Sequence, residues 1–340
     1  MRTSAKSTML SGLLSKRLVF VSGKGGVGKS SLTATLGWIS ARQNKRTLLV
    51  ELDTIGAIPR IFGRSEVPGY QETGLVPGIS CLHVDGKSGL EEYLQMVTKS
   101  SRLLQKVFQS PIYQYFVNIA PGLKELMAVG KLWHLEQRTD PVTGVPAYDL
   151  ILVDTPATGH TISYLQMPMT AAATVKRGLV KREAQKVVDL LRDPERSAFC
   201  IASTLAEMPV SEAIELYRTV ADQLQLPVAC VFVNQVFPDF LDGPDLEAFI
   251  TWRTAILDGR DASSNTLAVC ERAMVAAADS WRRRREAQEL QRERLRQGMP
   301  CPLIELPFVH QAESSFERIQ LLACALDEGR PNHAGKGAPL

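Results

Sequence analysis

The residues best suited to chemistry form a glycine-rich run near the N-terminus, Gly23-Lys24-Gly25-Gly26-Val27-Gly28-Lys29-Ser30. The run matches the pattern G-x-x-x-x-G-K-[ST], in which backbone N–H groups surround phosphate oxygens and the following helix adds a positive dipole. Lys29 is placed to reach the β- and γ-phosphates, and the Ser30 hydroxyl is placed to ligate Mg²⁺. The sequence therefore predicts a nucleotide-binding loop that comprises residues 23–30 and the adjacent Ser31.

A second candidate for the Mg²⁺ site is an aspartate at the end of an apolar run. Leu150-Ile151-Leu152-Val153 leads directly to Asp154, and a carboxylate in this position helps to hold Mg²⁺ beside a phosphate loop. Asp53 follows the apolar run 47–52 in the same way. Phosphoryl transfer depends mainly on positioning and charge neutralisation, so we expect Lys24 and Lys29 to neutralise phosphate charge.

The elements that must position these residues alternate between strand and helix. Continuous apolar runs typical of buried parallel strands occur at 18–22, 47–52, 150–153, 198–202, 228–233 and 302–306. Helical composition marks residues 29–42 and 314–326, and two longer helical stretches, at about 88–137 and 169–192, interrupt the alternation. The pattern predicts an α/β fold of the P-loop NTPase type, with a mostly parallel sheet flanked by helices and an inserted helical subdomain.

Composition limits the classes of protein that fit. The chain has 340 residues, 45% of them hydrophobic and 22% charged, with a net charge of +3, which excludes a disordered chain and gives no reason to expect nucleic acid as a partner. No run reaches the roughly 18 apolar residues of a membrane span. We expect a cytoplasmic protein that is not an integral membrane protein, with an N-terminal extension at 1–17, one P-loop domain at 18–327 and a flexible tail at 328–340.

The early lysine, Lys24, gives the loop the form G-K-G-G-V-G-K-S, which resembles the deviant Walker A group that includes the ParA, MinD, nitrogenase iron protein and ArsA families. In those families the early lysine reaches across a dimer interface to the nucleotide of the partner subunit. The resemblance therefore implies a dimer that closes on ATP, either a homodimer or a heterodimer with a paralogue.

The run Thr155-Pro156-Ala157-Thr158-Gly159-His160-Thr161 resembles the second switch of the ArsA and tail-anchored-protein-targeting ATPases, with Pro156 and Ala157 in reversed order. By this resemblance Asp53 orients the attacking water, Glu207 lies at the nucleotide, and Asn234 and Gln235 contact the adenine. It implies a Mg²⁺-dependent ATP hydrolase that drives a process with a protein client or a membrane partner, of the metalloid-export or membrane-protein-targeting type.

The chain also departs from that family. Its first switch reads Asp53-Thr54-Ile55-Gly56 where the family usually has Asp-Pro-Ala-His, and the zinc-clamping cysteine pair of eukaryotic targeting members is missing. The six cysteines are at least 23 positions apart and show no thiol cluster of the kind arsenite-responsive members need. Two alternatives therefore stay open: a ParA/MinD-like positioning ATPase, and a weakly active regulatory subunit paired with a paralogue.

An arginine-dense segment lies near the C-terminus. Residues 280–297 contain seven arginines, among them Arg282 to Arg285, and three glutamates. Spacings of three and four residues between opposite charges are typical of a solvated helix face with ion pairs. Docking to an acidic partner, a lipid or a nucleic acid is the alternative interpretation.

Overall fold

A computed structural model describes residues 2–53, 56–65, 69–97, 122–238, 243–257, 266–310 and 312–327. Its centre is an eight-stranded sheet with the order β3-β4-β2-β5-β1-β6-β7-β8. All neighbouring strands are parallel except β3 and β4, which are antiparallel. The strands are β1 Leu18–Gly23, β2 Thr47–Leu52, β3 Thr73–Val76, β4 Ile79–Val84, β5 Leu150–Ala157, β6 Ser197–Thr204, β7 Val228–Val236 and β8 Leu303–Pro307.

Helices connect the strands and flank the sheet. They are α1 Arg2–Leu14, α2 Lys29–Arg42, α3 Ala57–Ile61, α4 Gly86–Val97, α5 Leu123–Gln137, α6 Thr158–Thr174, α7 Leu179–Arg192, α8 Glu207–Tyr217, α9 Gly243–Leu257, α10 Thr266–Gly298 and α11 Ser315–Asp327. None of the described helices is both long and apolar enough to cross a membrane.

Two hydrophobic clusters cover the two faces of the sheet. Alternate residues of β1 divide between them, because side chains of a strand point to opposite faces: Leu18 and Phe20 join one cluster, and Val19 and Val21 join the other. The first cluster also takes in buried side chains of α5, α6, α7 and α8, and the second takes in those of α1, α2 and α11. This two-sided burial is the physical reason that the strands are continuous apolar runs.

The carboxyl ends of three adjacent strands define the edge where the predicted site lies. In the parallel register, Val21 of β1 and Glu51 of β2 both lie beside Asp154 of β5. On the other side of β1, Gly23 pairs with Ala202 of β6. The phosphate loop, both predicted switches and the start of α8 therefore emerge at the same edge of the sheet.

The α/β fold with a mostly parallel sheet is confirmed, and α2 and β2 have the bounds predicted for them. The helical stretch predicted to begin at 169 is wrong at its start: α6 begins at Thr158, runs through Pro168, and a break after Thr174 separates it from α7. Helices α4 and α5 lie in or at the edge of the predicted stretch 88–137. Residues 98–121 of that stretch and the predicted tail from 328 lie outside the described residues.

Several elements lack a sequence prediction, namely α1, α3, β3, β4, α8, α9 and most of α10. Helix α1 lies in the segment predicted as an N-terminal extension, and its Leu14 is fully buried. The arginine-dense segment is helical, and Arg282 pairs with Asp279 and Glu286 at the expected spacings. The prediction of a solvated face is wrong at Arg292, which is 3% exposed and pairs with Glu289 and Glu305.

Candidate nucleotide and magnesium site

The phosphate loop connects β1 to α2 in a backbone path that two glycines make possible. Gly28, at the N-cap of α2, has φ 94°, a left-handed conformation that residues with a Cβ rarely adopt. A Cβ on Gly28 would also collide with the side-chain amide nitrogen of Asn234, and one on Gly23 would collide with the carbonyl oxygen of Ala202. The loop therefore packs tightly against β6 and β7.

Lys29 lies over this loop. Its Nζ donates hydrogen bonds to the carbonyl oxygens of Gly23, at 3.0 Å, and of Lys24, at 3.2 Å. Burial lowers the pKa of Lys29, and the nearby charge of Asp154 opposes that shift. The backbone thus holds the amino group above the loop, where phosphate oxygens would replace the carbonyls as partners.

Ser30 and Asp154 meet at the base of the loop. The Ser30 hydroxyl donates to Oδ2 of Asp154 at 2.5 Å, and Asp154 is 1% exposed. Burial raises the pKa of Asp154 to about 6, against the lowering effects of the Ser30 hydrogen bond and of Lys29, while Glu51 adds to the rise.

The second oxygen of Asp154 indicates what the pair could bind. Oδ1 is buried and has no hydrogen-bond partner among the described residues, although a buried carboxylate oxygen normally has one. A hydroxyl and a carboxylate are oxygen donors of the kind that Mg²⁺ prefers, beside a loop for phosphates that would supply further oxygens. The residues present therefore fit a Mg²⁺ ion held by Ser30 and Asp154.

Lys24 is bound within its own chain. Its Nζ forms an ion pair with Oε1 of Glu212 on α8, and about a third of each side chain is exposed. The Thr158 hydroxyl lies 3.5 Å from Oε2 of the same glutamate. Glu212 has no sequence prediction, because no motif marks it and its contact with Lys24 spans 188 positions.

Asp53 occupies the end of β2 in a strained conformation, with φ 60°, which is uncommon for a residue other than glycine. Asp53 lies close to Tyr164 on α6, and burial together with the charge of Asp53 raises the pKa of that tyrosine. Thr54 and Ile55 lie outside the described residues. The predicted water-orienting aspartate is thus in contact with the helix that begins in the second switch.

Glu51 anchors the other side of the first switch and was also missed. It is fully buried, and its two carboxylate oxygens accept hydrogen bonds from the backbone N–H groups of Gly56 and Ile58, each at 2.8 Å. These two donors lie at the start of α3, where N–H groups have no partner within a helix. Residue 51 lies within a continuous apolar run, which predicts burial at every position, and a glutamate in such a run is the signal that could have identified it.

The second switch is held by hydroxyl groups. The Thr155 hydroxyl donates to the carbonyl oxygen of Val21 at 3.0 Å. The Thr161 hydroxyl lies 2.9 Å from that of Thr155 and 3.0 Å from the carbonyl oxygen of Pro156. These contacts tie the end of β5 and the first turn of α6 to β1, directly behind the phosphate loop.

The three residues predicted to lie at the nucleotide, Asn234, Gln235 and Glu207, differ in burial. Asn234 is buried against the loop: its Nδ2 donates to the carbonyl oxygen of Val27 at 2.9 Å, and its Oδ1 accepts from the backbone N–H of Gln235. Gln235 and Glu207 have exposed side chains. The structure thus brings Asn234 to the loop, while adenine contacts of Asn234 and Gln235 and the nucleotide role of Glu207 stay predictions.

A parallel sheet with a phosphate loop between β1 and α2, and an aspartate at the end of β5 bonded to the loop serine, defines a P-loop NTPase. Within that class, the sequence model of the anion-transporting ATPase family matches residues 16–185. The chain belongs to this ArsA family, and the match covers the loop, both predicted switches and helices α2 to α6.

Relatives agree with this assignment. ATPase BagA of Mycobacterium tuberculosis is 31% identical over 235 residues, which are 68% of each chain. An arsenical pump-driving ATPase of Acidiphilium multivorum is 26% identical over 69% of this chain and 42% of its own. An ATPase ASNA1 homolog of Entamoeba dispar is 32% identical over 44% of this chain and 45% of its own. The protein is therefore an ATPase of the ArsA type.

Proposed function

We propose that this chain hydrolyses ATP in a Mg²⁺-dependent reaction and closes as a dimer on bound ATP, so that the cycle drives a process with a protein client or a membrane partner. The observation that carries the proposal is the contact of Ser30 with the buried Asp154, whose second oxygen is unpaired among the described residues. Such a pair, placed under a phosphate loop, suits a nucleotide with its divalent cation.

Each site residue has a task in this reaction. The loop N–H groups and Lys29 would bind the β- and γ-phosphates, and Ser30 and Asp154 would hold Mg²⁺. Mg²⁺ supplies neutralisation of the charge that develops on the phosphate oxygens. Asp53 would accept a hydrogen bond from the attacking water and so orient it.

A cavity in the helical region supports an apolar client. It lies between α4, α5 and α7 and has a volume of about 240 Å³. Mostly apolar side chains line it, including Leu126, Met127, Trp133, Val180 and Val187. A concave apolar surface with few polar groups is the usual form of a site for an apolar ligand. A cavity of this size has room for an apolar side chain of a client rather than for a whole helix, and on this basis we favour membrane-protein targeting over metalloid export.

The positions of the cysteines also bear on whether the ATPase acts on a metalloid or on an apolar client. The Sγ atoms of Cys200 and Cys230 lie 3.8 Å apart, which corrects the expectation from their spacing that no thiols cluster. Both residues are fully buried in adjacent strands, as expected for core cysteines. A metalloid would have to open the sheet to reach them, and this favours the apolar client.

The altered first switch favours a second candidate function, a weakly hydrolysing regulatory subunit that needs a paralogue. One experiment separates it from the main proposal: phosphate release and sedimentation velocity of the purified chain, with ATP and with or without Mg²⁺. We expect the chain alone to form dimers with ATP and to turn over only with Mg²⁺. A monomer without turnover would favour the regulatory subunit, and turnover that DNA stimulates would favour the ParA/MinD-like alternative.

A further inference from the structure

Lys24 has a partner before any nucleotide or second subunit arrives. Its Nζ is paired with Oε1 of Glu212, whose Oε2 lies 3.5 Å from the hydroxyl of Thr158. Thr158 is the first residue of α6 and belongs to the predicted second switch. One carboxylate therefore contacts both the phosphate loop and the second switch.

The sheet order explains how these groups meet. Strand β1 leads to the loop, and its neighbours β5 and β6 lead to α6 and to α8. Because all three strands are parallel, the two helices begin on either side of the loop, and Glu212 on α8 reaches over it. The topology therefore brings the loop and α8 together within one chain, and the contact needs no second subunit.

The ion pair competes with the role proposed for Lys24. A lysine ammonium is a compact point charge on a flexible stem, and it cannot lie against Glu212 and extend to the nucleotide of another subunit at the same time. The pair is about one-third exposed on both sides, so solvent screens it and its release is inexpensive. It can therefore oppose closure without preventing it.

We propose that Glu212 is a positioning residue that holds Lys24 within its own subunit in the nucleotide-free chain and thereby raises the ATP concentration at which two copies close. The inference rests on the proposed function, because it requires Lys24 to act across a dimer. The contact of Glu212 with Thr158 places the restraint where movement of the second switch would loosen it.

The first measurement tests the restraint without any dimer. In the full-length, nucleotide-free protein, trace acylation of lysines followed by mass spectrometry gives the reaction rate of Lys24 relative to that of the exposed Lys176. For Glu212→Gln we expect the relative rate to rise by about two- to five-fold, the range for a partly exposed ion pair. Added salt should raise the wild-type rate toward that of the variant, because salt screens the pair.

Glu215→Gln is the matched control, because Glu215 lies on the same helix with an exposed side chain and the charge change is the same. Its Lys24 rate should equal that of wild type. Thermal unfolding of all three proteins shows whether either change alters the fold, which would be visible as a shift in Tm. An unchanged Lys24 rate in a folded Glu212→Gln variant would overturn the restraint.

The second measurement tests the consequence for closure. Sedimentation velocity across a titration with the slowly hydrolysed analogue ATPγS gives the concentration at which half of the chains are dimers. We expect Glu212→Gln to lower that concentration by about two- to five-fold and Glu215→Gln to leave it unchanged. A higher half-point in Glu212→Gln would show that Glu212 supports the closed dimer and would overturn the inference.

Failure of the proposed function has a different signature. If Lys24 reacts faster in Glu212→Gln while neither protein dimerises with ATPγS, the restraint on the side chain is real but dimer closure is refuted, and the role of Glu212 in closure is refuted with it.

Discussion

The buried carboxyl of Asp154 is held where its negative charge is unfavourable. Only Ser30 donates to it among the described residues, and one of its oxygens has no partner. Its pKa of about 6 in the folded chain lies above the usual value of about 3.9 for an unfolded aspartate. The protonated form is therefore favoured by folding, and ionisation destabilises the nucleotide-free fold until a cation arrives.

The raised pKa of Asp154 predicts how the free energy of unfolding changes with pH. Ionised Asp154 lowers the free energy of unfolding. This effect is absent below about pH 4 and fully present above about pH 6, so the folded chain loses stability as the pH rises through that window. Without Mg²⁺ and nucleotide, Asp154→Asn should be about 1–3 kcal/mol more stable than wild type at pH 8, and the difference should be roughly half as large at pH 5. Urea unfolding at both pH values measures it, and a difference that does not change with pH would contradict the explanation.

Substitution of Asp53 tests its proposed role in orienting the attacking water. In Asp53→Asn the side chain keeps its size, but the neutral amide is a much poorer hydrogen-bond acceptor for the attacking water. We expect ATP affinity close to that of wild type and turnover lower by about two orders of magnitude, as for loss of a positioned base. Phosphate release and binding of a fluorescent ATP analogue measure the two quantities, with the exposed Asp222→Asn as control. Near-normal turnover of Asp53→Asn would remove Asp53 from the proposed mechanism.

At the scale of elements, the first switch is fixed by a contact from the strand that precedes it. Glu51 on β2 accepts hydrogen bonds from two of the N–H groups at the start of α3, a helix of only five residues that has little stability of its own. The same carboxylate lies beside Asp154 in the register of β2 and β5. Glu51 therefore links the first switch to the proposed Mg²⁺ site, because it bonds the start of α3 and lies beside Asp154 on the neighbouring strand.

Glu51→Gln tests that anchor. The amide can accept only one of the two N–H bonds, and its NH₂ group would face the other donor. We expect a loss of about 1–3 kcal/mol in the free energy of unfolding, the cost of leaving a buried group unpaired. Urea unfolding measures the loss against Glu247→Gln, an exposed glutamate on α9. Equal stability of the two variants would show that Glu51 does not anchor α3.

The sequence predicted elements where one local rule decides the structure. Continuous apolar runs marked β1, β2, β5, β6, β7 and β8, and the glycine pattern marked the loop, because both follow from burial and backbone freedom alone. The start of α6 was missed because a proline usually ends a helix, whereas Pro168 lies inside one. Glu212 and Tyr164 were missed because their contacts with Lys24 and Asp53 depend on which strands are neighbours, and no local pattern encodes that.

At the scale of the whole molecule, we propose that the complete catalytic site includes Lys24 of a second subunit. In one chain, Lys29, Ser30, Asp53 and Asp154 lie at the same edge of the sheet, while Lys24 is paired with Glu212. The resemblance to the deviant Walker A families implies that Lys24 acts across a dimer, and the alternative is that it acts within its own subunit. If Lys24 acts across the dimer, two inactive variants can restore ATPase activity when they are mixed. If it acts within its own subunit, they cannot.

The most direct measurement is therefore the ATPase activity of a mixture of Lys24→Ala and Asp53→Asn. Each variant alone should turn over poorly. In a mixed dimer, the Lys24→Ala subunit retains Asp53 and receives Lys24 from its partner, so one of the two sites is complete. Random pairing makes half of the dimers mixed, so a 1:1 mixture should recover about one quarter of the wild-type turnover per chain. Turnover no higher than the mean of the separate variants would contradict the account.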